Sequence, residues 1–372
     1  MQQSLPARNE HGNPYLPTYY KGRIYIDLSD HGRYAENFEK LLRWIYDKPL
    51  HKRPEIGPPP AFLQQTESID VGTNIAFRRA IEAVRGGREH AYGAIDEYLG
   101  ALALGIQKFR ISFENQESFE ERFLESIEAA YIYEVEFLNL IEAMAQYFER
   151  LEKPNSVHRF FERIAAYCYP DENTNSYRDV EFDNYKFIVH ELFVSTIAIL
   201  IKHERFLCAS YLLETPYYVP KAGTIGEKSA QHYRVLFRDS GILEHRNRRL
   251  KLGRTSLQAD LIKDRSTRGP IEFRNIMQAD FVLYLYGAAK NFWWYPLTLS
   301  HLNFHAPEFE IFARASSSKY FEDILPIIGV SNKPELDSIV ERFKSNEIQR
   351  PKWSWSSIDP VRLMGHEQLC TR

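Results

Sequence analysis

The stretch Phe182 to Glu214, FDNYKFIVHELFVSTIAILIKHERFLCASYLLE, constrains this chain more than any other. Between Phe187 and Ile201 only His190, Glu191, Ser195 and Thr196 interrupt an apolar run. A helix of that composition is hydrophobic nearly all round and has to be enclosed by other elements. Asp183 or Asn184 is expected to cap its start, while Lys202 and His203 suit its negative C-terminal end. A second helix, Phe206 to Leu213, is expected after it. Because Glu191 breaks the longest apolar run, no stretch reaches the roughly 18 uncharged apolar residues of a membrane span, and no membrane is expected as a partner.

Helical spacing dominates elsewhere. It predicts helices over Tyr34 to Tyr46, Ile75 to Val84 and Glu89 to Lys108, with Gly86-Gly87 breaking the last two apart. Phe119, Phe123, Ile127, Ala130, Leu138, Ile141, Ala145 and Phe148 recur at steps of three, four or their multiples, so Ser118 to Leu151 reads as one long amphipathic helix. Its Glu-rich face is expected to be solvated. Val157 to Cys168 comes next, with Ser156 as its expected cap. Helical signals return at Ser256 to Lys263, Ile271 to Tyr286, Phe309 to Ala313, Lys319 to Ile328 and Glu335 to Lys344; Tyr217 to Ser229 reads as a loop. The one clear strand signal is RIYIDL at Arg23 to Leu28, with a proline-rich connector from Pro49 to Pro60 beyond the first helix. The expected fold class is mainly α: a multi-helical module, 64–372, preceded by a small α/β fragment, 1–63. A further division is expected near 153–182. At 372 residues the chain exceeds the roughly 250 to 300 that one core usually serves.

Net charge is only −3, but it is unevenly placed. Ser112 to Glu152 carries eleven Glu against Arg122 and Arg150, a local −9, whereas Lys228 to Arg268 carries eleven Lys or Arg against four acids, a local +7. Such segments are expected to face each other, within the chain or across an oligomer. Cys168, Cys208 and Cys370 are isolated and fit neither a disulfide framework nor a zinc site, which favours a reducing, cytoplasmic setting.

Several residues invite chemistry. His190-Glu191 and His203-Glu204 repeat an HE pair, but a helical zinc site needs HExxH, and position 194 is Val. On one helix the two histidines would lie about 140° apart. Neither a metal nor a cofactor is expected. Arg238 and His245 fit the loose R-x6-H spacing of ribonucleases related to the HEPN fold, although Gly241 between them disfavours the helix such a motif occupies. Arg246, Arg248, Arg249, Lys251 and Arg254 form the densest basic cluster and are the candidate anion or nucleic-acid contacts. The competing expectation, and the preferred one, is that they pair with the acidic segment or with Asp260 and Asp264. Trp293, Trp294 and Tyr295 can stack a base, yet aromatics of this kind more often fill an interface between helices. No residue is assigned a catalytic role.

KGRIYIDL, a spacer and the helix NFEKLLRWIYDKPLHKRPEIGPPPAFL resemble the C-terminal end of bacterial Toll/interleukin-1 receptor (TIR) domains, over about Leu5 to Leu63. FDNYKFIVHELF, LEHRNRRLKL, MQADFVLYL and FEIFARA are similar to the helical region that lies behind TIR domains in such proteins. The resemblance implies a bacterial immune, antiphage or signalling effector, in which the helical part senses a trigger or drives assembly with a protein partner or as a homo-oligomer. Members that hydrolyse NAD use a glutamate and loops upstream of this last strand. No position here inherits that role, and NAD hydrolysis is expected only with an intact TIR domain. An RNA-binding or RNA-cleaving helical protein is the alternative.

Overall fold

The computed structural model describes residues 26, 28–29, 31–46, 71–112, 116–148, 154–170, 174, 177–221, 226–303, 306–353 and 356–372. The chain divides into two compact units, 1–67 and 68–372. In the first, α1 (Tyr34–Ile45) is held by i,i+4 pairs, Lys40 with Glu36 and Arg43 with Glu39, and buries none of its residues. Most of the expected strand 23–28 and the 49–60 connector lie outside the described residues. Ile26 and Leu28, which are described, have no regular secondary structure.

The second unit is mainly α-helical, as its spacing predicts, and one hydrophobic core runs through it. It opens with α2 (Val71–Arg85) and α3 (Ala91–Gln107). Gly87, at φ +57°, turns the chain between them, and the Arg88 N–H closes on the Ala83 carbonyl at 3.0 Å. The 32-residue α4 (Gln116–Tyr147) packs along α2 and along α6 (Asp183–Lys202), with α5 (Asn155–Ala165) between α4 and α6 in sequence. Every residue of α6 from Asp183 to Ile201 is buried, by α4, α5, α7 (Phe206–Glu214) and α10 (Phe273–Lys290). By length and composition this helix could cross a membrane, yet it is wholly enclosed by protein.

Between these lie a hairpin, β1 (Tyr217–Pro220) with β2 (Lys228–Gln231), and the helices α8 (Gly241–Arg249) and α9 (Leu257–Ser266). Ser256 caps α9 by accepting from the Ala259 N–H at 3.1 Å. Beyond α10 come a 3-10 turn (Leu297–His301), α11 (Glu310–Arg314), α12 (Ser318–Ile328) and α13 (Lys333–Lys344). The chain ends in a short hairpin, β3 (Lys352–Trp353) with β4 (Ser356–Ser357), then α14 (Pro360–Leu363).

Three local expectations fail for physical reasons. Neither Asp183 nor Asn184 caps α6: the cap position is Phe182, which makes no side-chain cap bond. Because this end is buried, its polar side chains serve neighbours instead. Asp183 accepts from the Ile242 N–H at 2.7 Å, at the start of α8, and from Lys186 at 2.9 Å; Asn184 donates to the Phe109 carbonyl at 2.6 Å. Likewise α5 starts after Pro154, so Ser156 lies inside it. The segment expected as a loop at 217–229 contains β1, whose Tyr217 and Val219 point into the core while Tyr218 stays exposed.

Candidate functional site

The acidic α4 and the basic 238–268 segment meet. The side chain of Glu120 has no exposure to solvent and takes His245 Nδ1 at 2.9 Å, Arg246 at 3.4 Å, and Arg249 through both its Nε and Nη2 atoms. Burial pushes the Glu120 carboxyl up, but the hydrogen bonds from Arg249 and His245 outweigh it and hold the group below its ordinary range. Glu120 therefore does not lie on a solvated face, contrary to expectation. A second knot is deeper: Arg265 donates from Nε to Glu191 at 2.9 Å, from Nη2 to Glu134 at 2.7 Å and from Nη1 to the Ile127 carbonyl at 3.1 Å. Its guanidinium also stacks on Tyr131, 4.5 Å from the ring centroid. Burial first, then the adjacent Glu134 carboxylate, raises Glu191 well above its ordinary value. At the surface, Arg268 binds Glu128 with both arms at 2.6 and 3.0 Å.

The five basic candidates thus divide. Arg246 and Arg249 are drawn onto Glu120, and Arg254 forks onto Asp260 at 2.7 and 2.8 Å. Arg248 is largely exposed beside Glu244, 3.7 Å away, and Lys251 makes no ion pair among the described residues. Arg246 and Arg254 nevertheless line an open cavity of about 440 Å³ between α8, α9 and the 297–301 turn. Lys263, Asp264 and the His301–Asp260 pair, 3.0 Å apart, share its wall, and Leu243, Leu257 and Leu261 its apolar side.

Arg238 and His245 are not brought into one site. Arg238 precedes α8 and lies over the Tyr169 ring, 5.0 Å from its centroid, while His245 faces Glu120. Gly241 does not break the helix, because it is the first residue of α8 rather than an internal one. His190 and His203 also stay apart. His203 sits 2.8 Å from Glu142, whereas His190 is fully buried between the Trp294 and Phe237 rings, centroids 5.6 and 5.2 Å away. Neither ring nitrogen of His190 makes a hydrogen bond of good geometry, and burial lowers its pKa to about 4. Burial also pushes the thiols of Cys168 and Cys208 up, to about 11 and about 12, away from nucleophilic use at neutral pH.

A second cleft, of about 350 Å³, opens where the Phe292–Tyr295 connector meets the segment 348–352 that leads into β3. Trp294 fills the core, as expected of an interface aromatic, and its indole N–H donates to Asp280 at 2.7 Å. Asp280 also accepts from the Thr298 N–H at 2.9 Å and the Thr298 hydroxyl at 2.7 Å, yet burial outweighs these bonds and raises it to about 6. Trp293 does not meet the interface expectation, since 53% of it is exposed. Comparison with protein-family models, with curated proteins and with solved structures returns no match to this chain.

Sequence reasoning missed Glu120, Glu134 and Arg265 as buried groups. A signal was present: Glu120, Ile127, Glu134 and Ile141 succeed one another at steps of seven, so each lies within about 20° of the last on the helix. All four are buried.

Proposed function

We infer that this chain is the non-catalytic sensing or assembly part of a TIR-type bacterial immune or signalling effector. NAD hydrolysis would belong to an intact TIR domain, and the helical module would register a trigger or assemble with a protein partner or a second copy. The resemblance of residues 5–63 to the end of a TIR domain is one support. The observation that carries most weight is the use the module makes of its charge: Arg265 ties α4, α6 and α9 together, and Glu120 ties α4 to α8. Ionisable groups that could have faced a substrate clamp helices instead, as suits a body that moves or docks as one piece.

Incubating the purified chain with NAD tests this; turnover well above a buffer control would sink it, and the expected result is none. Co-expression with a TIR-bearing chain tests assembly, with stable co-purification expected. An RNA-binding alternative draws on Arg248, whose nearest carboxylate stands 3.7 Å away, and on Lys251, which makes no ion pair among the described residues. It would require an RNA complex that weakens steeply with salt and is lost in Arg248→Glu.

A further inference from the structure

We propose that the cleft between the Phe292–Tyr295 connector and residues 348–352 is a binding site for a single nucleotide, with its base on Trp293 and Tyr295 and its phosphate on Arg350 and Lys352. The aromatic side is preformed. The Trp293 and Tyr295 rings are nearly parallel, 18° between planes and 6.2 Å between centroids. Tyr295 is fixed by its hydroxyl, which donates to the Lys352 carbonyl at 2.6 Å, and Trp293 is braced by the Phe237 edge at 4.9 Å. An exposed tryptophan held rigidly in this way loses little freedom when a planar ring covers it, and base–aromatic stacking tolerates any base.

The cationic side is equally specific in kind. Among the described residues two cations line the cleft and no carboxylate does. Arg350 donates its Nε and one Nη to the Phe343 carbonyl, at 3.3 and 3.1 Å, which orients the guanidinium without neutralising it. Lys352 is exposed, and no ion pair to either cation exists among the described residues. Positive charge left uncompensated beside a flat apolar surface matches an aromatic anion. The exposed side-chain amide of Gln349, whose backbone carbonyl alone is taken by Tyr284, is free to read a base edge. A volume near the low end of small-molecule pockets, which run from about 300 to 1,000 Å³, suits one nucleotide better than a strand.

The site rests on the sensing reading only for what binding would bring about; binding itself is read directly. Titrating the full chain with AMP, GMP, CMP and UMP, monitored by tryptophan quenching and calorimetry, is the test. At least one should bind at concentrations below about 1 mM, with adenosine and ribose 5-phosphate each weaker by tenfold or more. Trp293→Ala and Lys352→Glu should each weaken it about tenfold while leaving the far-ultraviolet dichroism unchanged, Lys352→Glu should also leave melting unchanged, and Arg248→Glu should have no effect. No response to any of the four, or binding indifferent to both cleft variants, overturns the site. So does an RNA 12-mer that binds far more tightly than every mononucleotide and is lost in the same variants, since the occupant is then a strand. Binding that changes neither oligomeric state nor partner association upholds the site and removes the sensing reading instead.

Discussion

In the cavity between α8 and α9, Arg254 already holds Asp260 and Arg246 already leans on Glu120; in the cleft before β3, Arg350 holds only a carbonyl and Lys352 makes no ion pair among the described residues. The two hollows are of similar size, and both are lined by cations and apolar side chains. An anion entering the first competes with carboxylates that are fixed in place, whereas an anion entering the second meets charge that has only water to lose. Density of Lys and Arg along the sequence therefore does not by itself rank the two hollows. What matters is whether the fold has supplied each cation with a partner.

The sharpest way to break this contrast is to remove a cation from the paired side. Arg265→Ala removes the guanidinium that bonds both buried acids and leaves Glu134 without its counter-charge, and breaking such a buried pair typically costs about 3 to 5 kcal/mol. Urea denaturation should register a loss of that size, while Lys352→Ala should stay within about 0.5 kcal/mol. A loss below about 1 kcal/mol for Arg265→Ala would mean that the knot is not what holds α4, α6 and α9 together.

The aromatic side has its own buried ionisable groups, His190 and Asp280, which meet at Trp294 and titrate in opposite senses. The folded pKa of His190, about 4, lies below the ordinary 6.5. As pH falls from 6.5 to 4 the unfolded chain takes up a proton that the folded chain refuses, so this residue withdraws up to about 3 kcal/mol of stability. Asp280, raised to about 6, acts in the other direction: between its unfolded value and pH 6 the folded chain keeps a proton that the unfolded chain has released, and stability declines as pH rises. In the wild type the two slopes oppose each other between pH 4 and 6. His190→Phe, which loses no hydrogen bond of good geometry, removes one of them. Relative to wild type the variant should gain stability on going from pH 6.5 to 4, and equal pH profiles would show that His190 is not held neutral.

The fold class was legible because an all-apolar helix and long helical periodicity admit little else, and α4, α6, α7, α9 and α12 lie within a few residues of where spacing puts them. The pairing of acidic and basic segments was legible too, from the local charges of −9 and +7. The identity of the pairs was not. Asp183 reads as a cap and serves α8 instead, because a cap is a matter of local sequence and burial of the α6 terminus is not. Trp293 and Trp294 are neighbours of one type, yet one lies in the core and the other in a cleft, since an extended connector sends alternate side chains to opposite sides.

Converting the paired hollow into an unpaired one is a milder perturbation. Glu120→Gln keeps an acceptor but removes the charge that His245, Arg246 and Arg249 share, and those three are partly exposed and can hydrate. A loss of about 1 to 2 kcal/mol is expected, smaller at high salt because the partners reach water and are screened there. The freed arginines should then add weak, salt-sensitive binding of phosphate or RNA beyond that of the wild type, and unaffected by Lys352→Glu. Unchanged binding would show that the segment is too dispersed to act as an anion site even when released.

The smallest effect is expected at Arg248, and it sets the scale for the others. Its side chain is 72% exposed and its nearest carboxylate, Glu244, stands 3.7 Å away one helical turn back. Exposed pairs of that kind contribute about 0.3 to 0.5 kcal/mol at best. Arg248→Glu should therefore leave melting nearly untouched, whereas Arg249→Glu, one residue on, sets a second carboxylate against buried Glu120 and should unfold at a clearly lower denaturant concentration. Two adjacent, chemically identical substitutions then differ only in what the fold has placed opposite each arginine. Equal effects would mean that Glu120 is not the partner that separates them.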